Sequence, residues 1–367
     1  MAAESSSQRP GIKGGFMGLY LHIGADLPSS GKDWTKSRTS KPLRVLKMRI
    51  HLRYSLFPMN LEAFVLGCGG MMPLPYRHLT SVLVRREGEL FLFDAGEATQ
   101  ISIRRLNLRW KKITAIFISH MHADHVTGLP GILMLNSQVD RDEPLYIFGP
   151  PKLAEYIALT RKTLDMYINY EIIVKEFTEA STLWQKEDFS IRSFGLKHTK
   201  MCFGYTLEEK ARPGAFHPDS ALALGVPRGP LWSTLQGGTD VCLEDGRVVH
   251  PGDVLGPQRA GRKFSYLTDS LYTPEVSSEV SNSDLFICEG MFEDALLESA
   301  VEKRHMTARQ AGLIARDAKG IKKLALIHYS PRYSDKELKI LLDEAREVFP
   351  ETVLTRDRMN FPIEYID

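Results

Sequence analysis

An α/β fold with mixed β-sheets is what this chain predicts, and three observations carry that expectation. From Met59 onward short β-type runs alternate with helical ones, two early strands are joined by a tight turn, and several later apolar runs end abruptly in a polar residue. "LEAFVLGC", "SVLVRR" and "LFLFD" read as strands, the last two forming a hairpin around Glu87-Gly88. "EATQISIRRLNL" is then helical, "AIFIS" is a strand, and "GLPGILMLNSQV" is a helix. "LYIFG" is a strand stopped at Gly149-Pro150-Pro151, and "KLAEYIALTRKTLDMY" is a long amphipathic helix. Three strands follow in "YEIIVKEF", "FSIRSFGLK" and "CFGYTLEE". Ala211 to Gly261 are dense in Pro and Gly, the mark of a long excursion from a compact domain. Beyond it come "KFSYLTD", "DLFICEG", two helical stretches, "KLALIHYS" and the helix "DKELKILLDEAREVF".

At 367 residues the chain can bury a sizeable core, and its formal charge of +2 hides an asymmetry. Residues 1–58 hold ten Lys/Arg against three Asp/Glu, which leaves the remainder near −5 by subtraction. This basic stretch lacks sustained periodicity and is expected to be a flexible N-terminal extension, with residues 59–367 forming the folded domain. The four cysteines are scattered without a CxxC pair, which fits a reducing compartment and a cytoplasmic protein. No apolar run approaches the length of a membrane span. "GFMGLYLHIGA" is interrupted by Gly and His, so it makes a poor signal peptide.

The chemistry concentrates in "FISHMHADHVTGLPG". His120, His122, Asp124 and His125 supply the imidazole nitrogens and carboxylate oxygens that zinc and related ions prefer, in numbers sufficient for two ions. His198, Asp269 and His328 each end an apolar strand run, at the sheet edge where α/β sites collect. A single His or Asp so placed is more often structural. Beside the cluster, each becomes a candidate for the ligands still missing. His22, His51, His78, His217 and His250 have no such placement and read as surface or local structure.

"SHMHADH" after a strand and before Gly-Leu-Pro-Gly resembles the signature loop of the metallo-β-lactamase fold, an αββα sandwich of two mixed sheets flanked by helices. "VLGCGGMMPLPYRHLTSVLV", "LFDAGEATQ", "LKHTKMCFGY", "LTDS", "HMTARQA" and "IHYSPRY" resemble, in order, the motifs of the ribonuclease Z family. "PGAFHPDSALALGVPRGPLWSTLQGG" resembles that family's protruding flexible arm, including the Gly-Pro element at Gly229-Pro230. The resemblance implies a zinc-dependent endoribonuclease that removes the 3′ trailer of precursor tRNA, with residues 207–262 as the substrate-binding arm. It implies two Zn2+ per subunit, with Mn2+ or another divalent ion as alternative: one held by His120, His122 and His198, the other by Asp124, His125 and His328, bridged by Asp269. Asp124 would also orient the attacking hydroxide, and His305 positioned by Glu289 would protonate the leaving oxygen. Helices equivalent to "KLAEYIALTRKTLDMY" and "LDEAREVF" help form a homodimer in the family.

Some positions depart from the family pattern. Cys288 stands where a histidine is common, Ala95 and Ala98 replace Cys and Gly, and Ala123 replaces a usual Gly. Two rivals stay open: a phosphodiesterase of the same fold acting on small diesters, and an RNA-binding relative whose turnover the Cys288 and Ala95 changes have weakened. A flavo-diiron oxidoreductase fits less well, because that class typically has Glu where His122 stands. The arm's cations, Lys210, Arg212, Arg228, Arg247, Arg259, Arg262 and Lys263, are nearly matched by acids, so its charge does not by itself predict RNA binding. Trp232 reads as a packing residue before a base-stacking one.

Overall fold

The computed structural model describes residues 21–23 and 60–365; the rest of the expected basic extension lies outside the described residues. In chain order the strands are β1 (Leu21–Ile23), β2 (Leu61–Gly67), β3 (Ser81–Arg86), β4 (Glu89–Phe93), β5 (Ile113–Phe117), β6 (Leu145–Gly149), β7 (Ile172–Glu176), β8 (Thr182–Gln185), β9 (Phe189–Lys197), β10 (Met201–Glu209), β11 (Val241–Cys242), β12 (Val248–Val249), β13 (Lys263–Leu267), β14 (Leu285–Glu289), β15 (Leu324–Ile327), β16 (Thr352–Leu354) and β17 (Asn360–Pro362). The helices are α1 (Thr99–Arg105), α2 (Ala123–Val126), α3 (Leu129–Asn136), α4 (Leu153–Thr163), α5 (Pro218–Ala223), α6 (Pro230–Gln236), α7 (Pro251–Val254), α8 (Val276–Val280), α9 (Leu297–Glu302), α10 (Ala308–Asp317) and α11 (Leu338–Val348).

Two mixed sheets result. The first runs β1-β7-β6-β5-β4-β3-β2-β17 and the second β16-β15-β14-β13-β10-β9-β8. Within each, one half is antiparallel and the other parallel, the parallel runs being β4 to β7 and β13 to β16. The period-2 alternation of the sequence decides which face each residue takes. Along β4, Phe91 and Phe93 join the core between the sheets, where Phe93 stacks on Phe117 at 5.2 Å and approaches Tyr205 and Phe264 of the opposite sheet. Leu90 and Leu92, the intervening residues, pack outward with Ile103, Leu129, Ile132 and Ile157 of the helices α1, α3 and α4. On the far side α10 and α11 cover the second sheet through Ala311, Ile314, Leu338 and Leu341. This is the αββα order.

Most strand and helix positions match the sequence reading, with informative differences. Glu87 and Gly88 turn the β3–β4 hairpin at φ 50° and 88°, the left-handed pair that matches strand twist. The helix expected to continue to Tyr167 stops at Thr163, because Asp165 adopts φ 45° and redirects the chain, leaving Leu164 and Tyr167 exposed. Edge strand β8, "TLWQ", had too weak an alternation to be read from sequence.

The Pro/Gly-rich excursion leaves between β10 and β13, which pair with each other directly. Leu207, Glu208 and Glu209 still belong to β10, so the excursion starts after Glu209, later than its expected start at 207. It carries α5, α6, α7 and the β11–β12 hairpin around its own apolar cluster of Ala221, Val226, Leu235, Val241, Val249 and Val254. Trp232 packs on that cluster and donates its indole N–H to Val226 O at 3.2 Å. Gly229, at φ 146° and ψ −152°, occupies a backbone region open only to glycine and sets Pro230 at the first turn of α6.

Candidate active site

The parallel strands deliver their C-terminal ends to one rim of the sandwich. Asp94 follows β4, and Ser119, His120 and His122 follow β5, with Asp124 and His125 on α2. From the second sheet, His198 follows β9, Asp269 follows β13, Glu289 closes β14 and His328 follows β15. Asp94 and His328 leave their strands at φ 56° and 62°, a left-handed conformation that costs energy and turns each side chain out of the strand's alternation. A Cβ on Gly70 would lie 2.6 Å from His328 Nε2, so only glycine permits that loop to pass there.

The ligand candidates gather into two adjoining clusters. In one, His122 Nδ1 lies 2.9 Å from His120 Nε2 and 3.2 Å from His198 Nε2. In the other, His328 Nε2 lies 3.3 Å from both His125 Nε2 and Asp124 Oδ2. Asp269 stands between them. Its Oδ2 is 3.6 Å from His120 Nε2 and His198 Nε2, while its Oδ1 is 3.3 Å from His125 Nε2 and 3.2 Å from His328 Nε2.

Hydrogen bonds behind the rim fix which imidazole nitrogens are available. His125 Nδ1 donates to Asp94 Oδ2 at 2.8 Å, and His198 Nδ1 donates to Arg304 O at 2.8 Å. Ser119 Oγ spends its proton on Asp94 Oδ2 at 2.8 Å and therefore accepts from His120 Nδ1 at 3.0 Å. In all three rings Nε2 is left with its lone pair facing the cluster. Lone pairs converging at about 3 Å repel unless a cation lies among them, so this donor set fits divalent metal ions. The donor atoms of His120, His122, His198 and Asp269 lie within 4.8 Å of one another, as do those of Asp124, His125 and His328. Asp269, His305 and His328 make a third such group, but His305 Nδ1 is engaged by Glu289 at 3.0 Å.

The electrostatics differ between the clusters: in the second, burial would lower His125, but Asp269, Asp94 and Asp124 hold it well above the usual imidazole range. Burial, reinforced by neighbouring His125, holds His120 well below the usual imidazole range, and burial also lowers His122 and His198. Neutral imidazole is the ligating form. Burial opposes ionisation of Asp124 and Asp269, yet the facing histidines pull both carboxyl groups below their ordinary range. His305 behaves oppositely: burial would lower it, but Glu289 and Asp269 raise it to about 9, while burial raises Glu289. Ser270 N donates to Glu289 Oε1 at 2.6 Å and fixes the other carboxylate oxygen.

Asp94 is the site residue that sequence reasoning passed over. It is fully buried and receives Ser119 N at 2.7 Å and Tyr266 OH at 2.8 Å besides the His125 contact. It ends an apolar strand as His198, Asp269 and His328 do, and that signal was in the sequence. Met71 N, donating to Asp124 Oδ2 at 2.7 Å, left no signal, since a backbone donor has no side-chain signature. Among the departures from the family pattern, Ala123 lies within the ligand loop at the start of α2, between His122 and Asp124. Cys288 and Ala95 are buried in the two apolar cores, on the strand face opposite Glu289 and next to Asp94 respectively. His78, expected at the surface or in local structure, instead makes long-range contacts, its backbone N–H donating to Asp357 Oδ2 at 2.8 Å and its Nδ1 lying 3.0 Å from Ser102 Oγ.

An αββα sandwich with histidines and aspartates converging at its rim defines a metal-dependent hydrolase of the metallo-β-lactamase fold. The chain is 67% identical over 309 residues to the ribonuclease Z of Treponema denticola, covering 84% of this chain and 100% of that protein, and 63% identical over 307 residues to that of Treponema pallidum strain Nichols, covering 84% and 99%. It belongs to the ribonuclease Z family. Among solved structures, the short form of human tRNase Z superposes with a TM-score of 0.59 at 25% identity, over 82% of this chain and 99% of that one. The metallo-β-lactamase fold protein YhfI of Bacillus subtilis gives 0.58 at 19% identity, over 83% and 99%, a likeness of fold. A family model described as anti-Pycsar protein Apyc1 matches residues 61–209, ending where the inserted segment begins.

Proposed function

We propose that this chain cuts precursor tRNA on the 3′ side of the discriminator nucleotide, releasing the 3′ trailer and leaving a 3′-hydroxyl on the tRNA. One observation carries the chemistry: Asp269 directs one oxygen at each of two neighbouring clusters, the arrangement of a carboxylate shared by two ions. His120, His122 and His198 would hold one Zn2+, and Asp124, His125 and His328 the other, with Asp269 between; Mn2+ suits the same donors. When bound, such a pair supplies Lewis acidity for in-line attack of water on a phosphodiester. Asp124, held by Met71 N, orients the attacking water. His305, with Nδ1 tied to Glu289, offers its Nε2 proton to the departing ribose oxygen.

The folded domain, residues 59–367, contributes the cut, and the inserted segment, expected at 207–262, contributes the grip on tRNA. Gly229 and Pro230 at the α6 N-terminus present backbone to the RNA, whose shape rather than sequence is read. Two of the segment's cations serve its own fold: Arg247 pairs with Asp245 at 2.7 Å, and Arg259 donates to Pro213 O at 3.0 Å. A second copy of the chain would cover the exposed Leu159, Leu164 and Tyr167 around the end of α4, giving a homodimer. Among the described residues no helix is long and apolar enough to cross a membrane, and the buried, unpaired Cys68, Cys202 and Cys288 suit a cytoplasmic enzyme.

The test is metal analysis of the purified protein together with cleavage of a precursor tRNA with and without chelator. Bound zinc and a chelator-sensitive cut are expected. A protein without metal, or a cut indifferent to chelation, would overturn the reading. Deleting residues 211–261 separates it from the small-diester alternative: hydrolysis of a chromogenic phosphodiester should survive while tRNA cleavage collapses.

A further inference from the structure

The inserted segment leaves the sandwich through a narrow neck. Arg212 N donates to Arg259 O at 2.7 Å and Arg259 N returns to Arg212 O at 3.0 Å. A Cβ on Gly261 would lie 2.2 Å from Glu209 O, so the two feet cross at a distance only glycine allows. Glu209 and Arg262, one at each foot, are buried and joined: Glu209 accepts Arg262 Nε on Oε2 and Arg262 Nη2 on Oε1, each at 2.8 Å. These are paired, charge-assisted bonds of the strong kind.

A third piece of chain closes over this junction. Beyond β17, Ile363 O accepts Arg262 Nη1 at 3.1 Å, and the Tyr365 hydroxyl donates to Glu209 Oε2 at 2.9 Å. The guanidinium carbons of Arg212 and Arg262 lie 3.4 and 4.0 Å from the Tyr365 ring centroid. Tyr365 therefore touches both feet, stacking with a cation from each while bonding the carboxylate that joins them. Among the described residues, none of these contacts reaches the metal-ligand candidates, so catalysis gives no reason for the cluster.

We propose that Ile363–Tyr365 is a buckle that sets the direction of the inserted segment relative to the metal site, and that Tyr365 is a positioning residue for the large substrate. The segment is a lever pivoting at its neck, so a small angular change there becomes a large displacement at Gly229-Pro230. A substrate that reaches only the rim is indifferent to that angle, whereas one gripped at both ends is not. This inference rests on the assignment of the segment to tRNA binding.

The experiment compares Tyr365→Ala and Tyr365→Phe with the full-length wild-type protein on a precursor tRNA and a small chromogenic phosphodiester, with thermal unfolding and hydrogen exchange at the neck amides of Arg212 and Arg259. Tyr365→Ala should raise KM for precursor tRNA about tenfold, the scale of one stacked cation and one charge-assisted bond. Its kcat/KM on the small diester should be unchanged, and exchange at the two amides should accelerate. Tyr365→Phe keeps the ring and should recover most of the tRNA affinity. An unchanged tRNA KM, or parallel losses on both substrates with a lowered unfolding temperature, would overturn the buckle. If the wild-type protein does not cut precursor tRNA, the functional assignment fails by itself; unaltered exchange in Tyr365→Ala would then sink the buckle, and accelerated exchange would support it.

Discussion

At the scale of residues, burial and neighbouring carboxylates set the site's histidines apart. Burial lowers His120, His122 and His198, whereas Asp269, Asp94 and Asp124 raise His125, and Glu289 with Asp269 raises His305 to about 9. A group that donates a proton works in its charged form, so kcat should stay level through neutrality and fall as pH rises through about 9. Replacing Glu289 with Gln leaves only Asp269 to oppose the burial of His305, and a pH–rate profile should show that fall displaced to lower pH. His305→Ala should lower kcat by about 10²- to 10⁴-fold with bound zinc unchanged by metal analysis. Asp94→Asn acts elsewhere, because an amide no longer supplies a carboxylate to His125 Nδ1. Zinc titration should show affinity for metal falling by about 10- to 100-fold.

At the scale of elements, strand ends and helix starts carry strain where the sequence departs from its family. Ala98 precedes α1 at φ 73°, a conformation a glycine adopts without cost, and no side chain caps the helix there. Ala98→Gly should therefore raise stability by about 1 kcal/mol in urea unfolding. Ala123 takes no such conformation at the start of α2, and its replacement of a usual glycine is tolerated without strain. The inserted segment follows the same logic on a larger scale. Its Pro and Gly residues read as an excursion, yet they build short helices around an apolar cluster, because Pro opens α5, α6 and α7 at their first turns.

Across the whole molecule, Glu209 ties the layers together. It stands on the second sheet and receives Arg86 Nε from the first at 2.8 Å, besides Arg262 and Tyr365. Burial would raise its carboxyl, but Arg262 and Arg86 hold it below the ordinary range. Its folded value thus lies under its unfolded one. The resulting stability is complete above the ordinary carboxylate range and is lost as pH falls through the depressed value. Glu209→Gln takes a carboxylate from two buried guanidinium groups, though Arg86 keeps Asp188 at 2.7 Å, and should cost about 3 kcal/mol at neutral pH, a difference that shrinks as the wild-type protein is acidified. Denaturant unfolding at several pH values measures both.

The strand pattern and the rim positions of His198, Asp269 and His328 are legible in the sequence alone, while the division of the histidine cluster came with the family resemblance. Pattern and positions alike are local matters of periodicity and of where an apolar run stops. The sequence also holds the Asp94 signal, a weak one because one aspartate after a strand is unremarkable alone. The burial of Cys288 and Ala95 in the apolar cores came only with the tertiary structure, since which face a strand residue takes depends on what packs against it. Only that structure could place Tyr365 against Glu209 and Arg262, residues more than one hundred positions apart and brought together when β17 closes the edge of the first sheet. Contacts of that span arise from the packing of whole layers, and no local pattern encodes them.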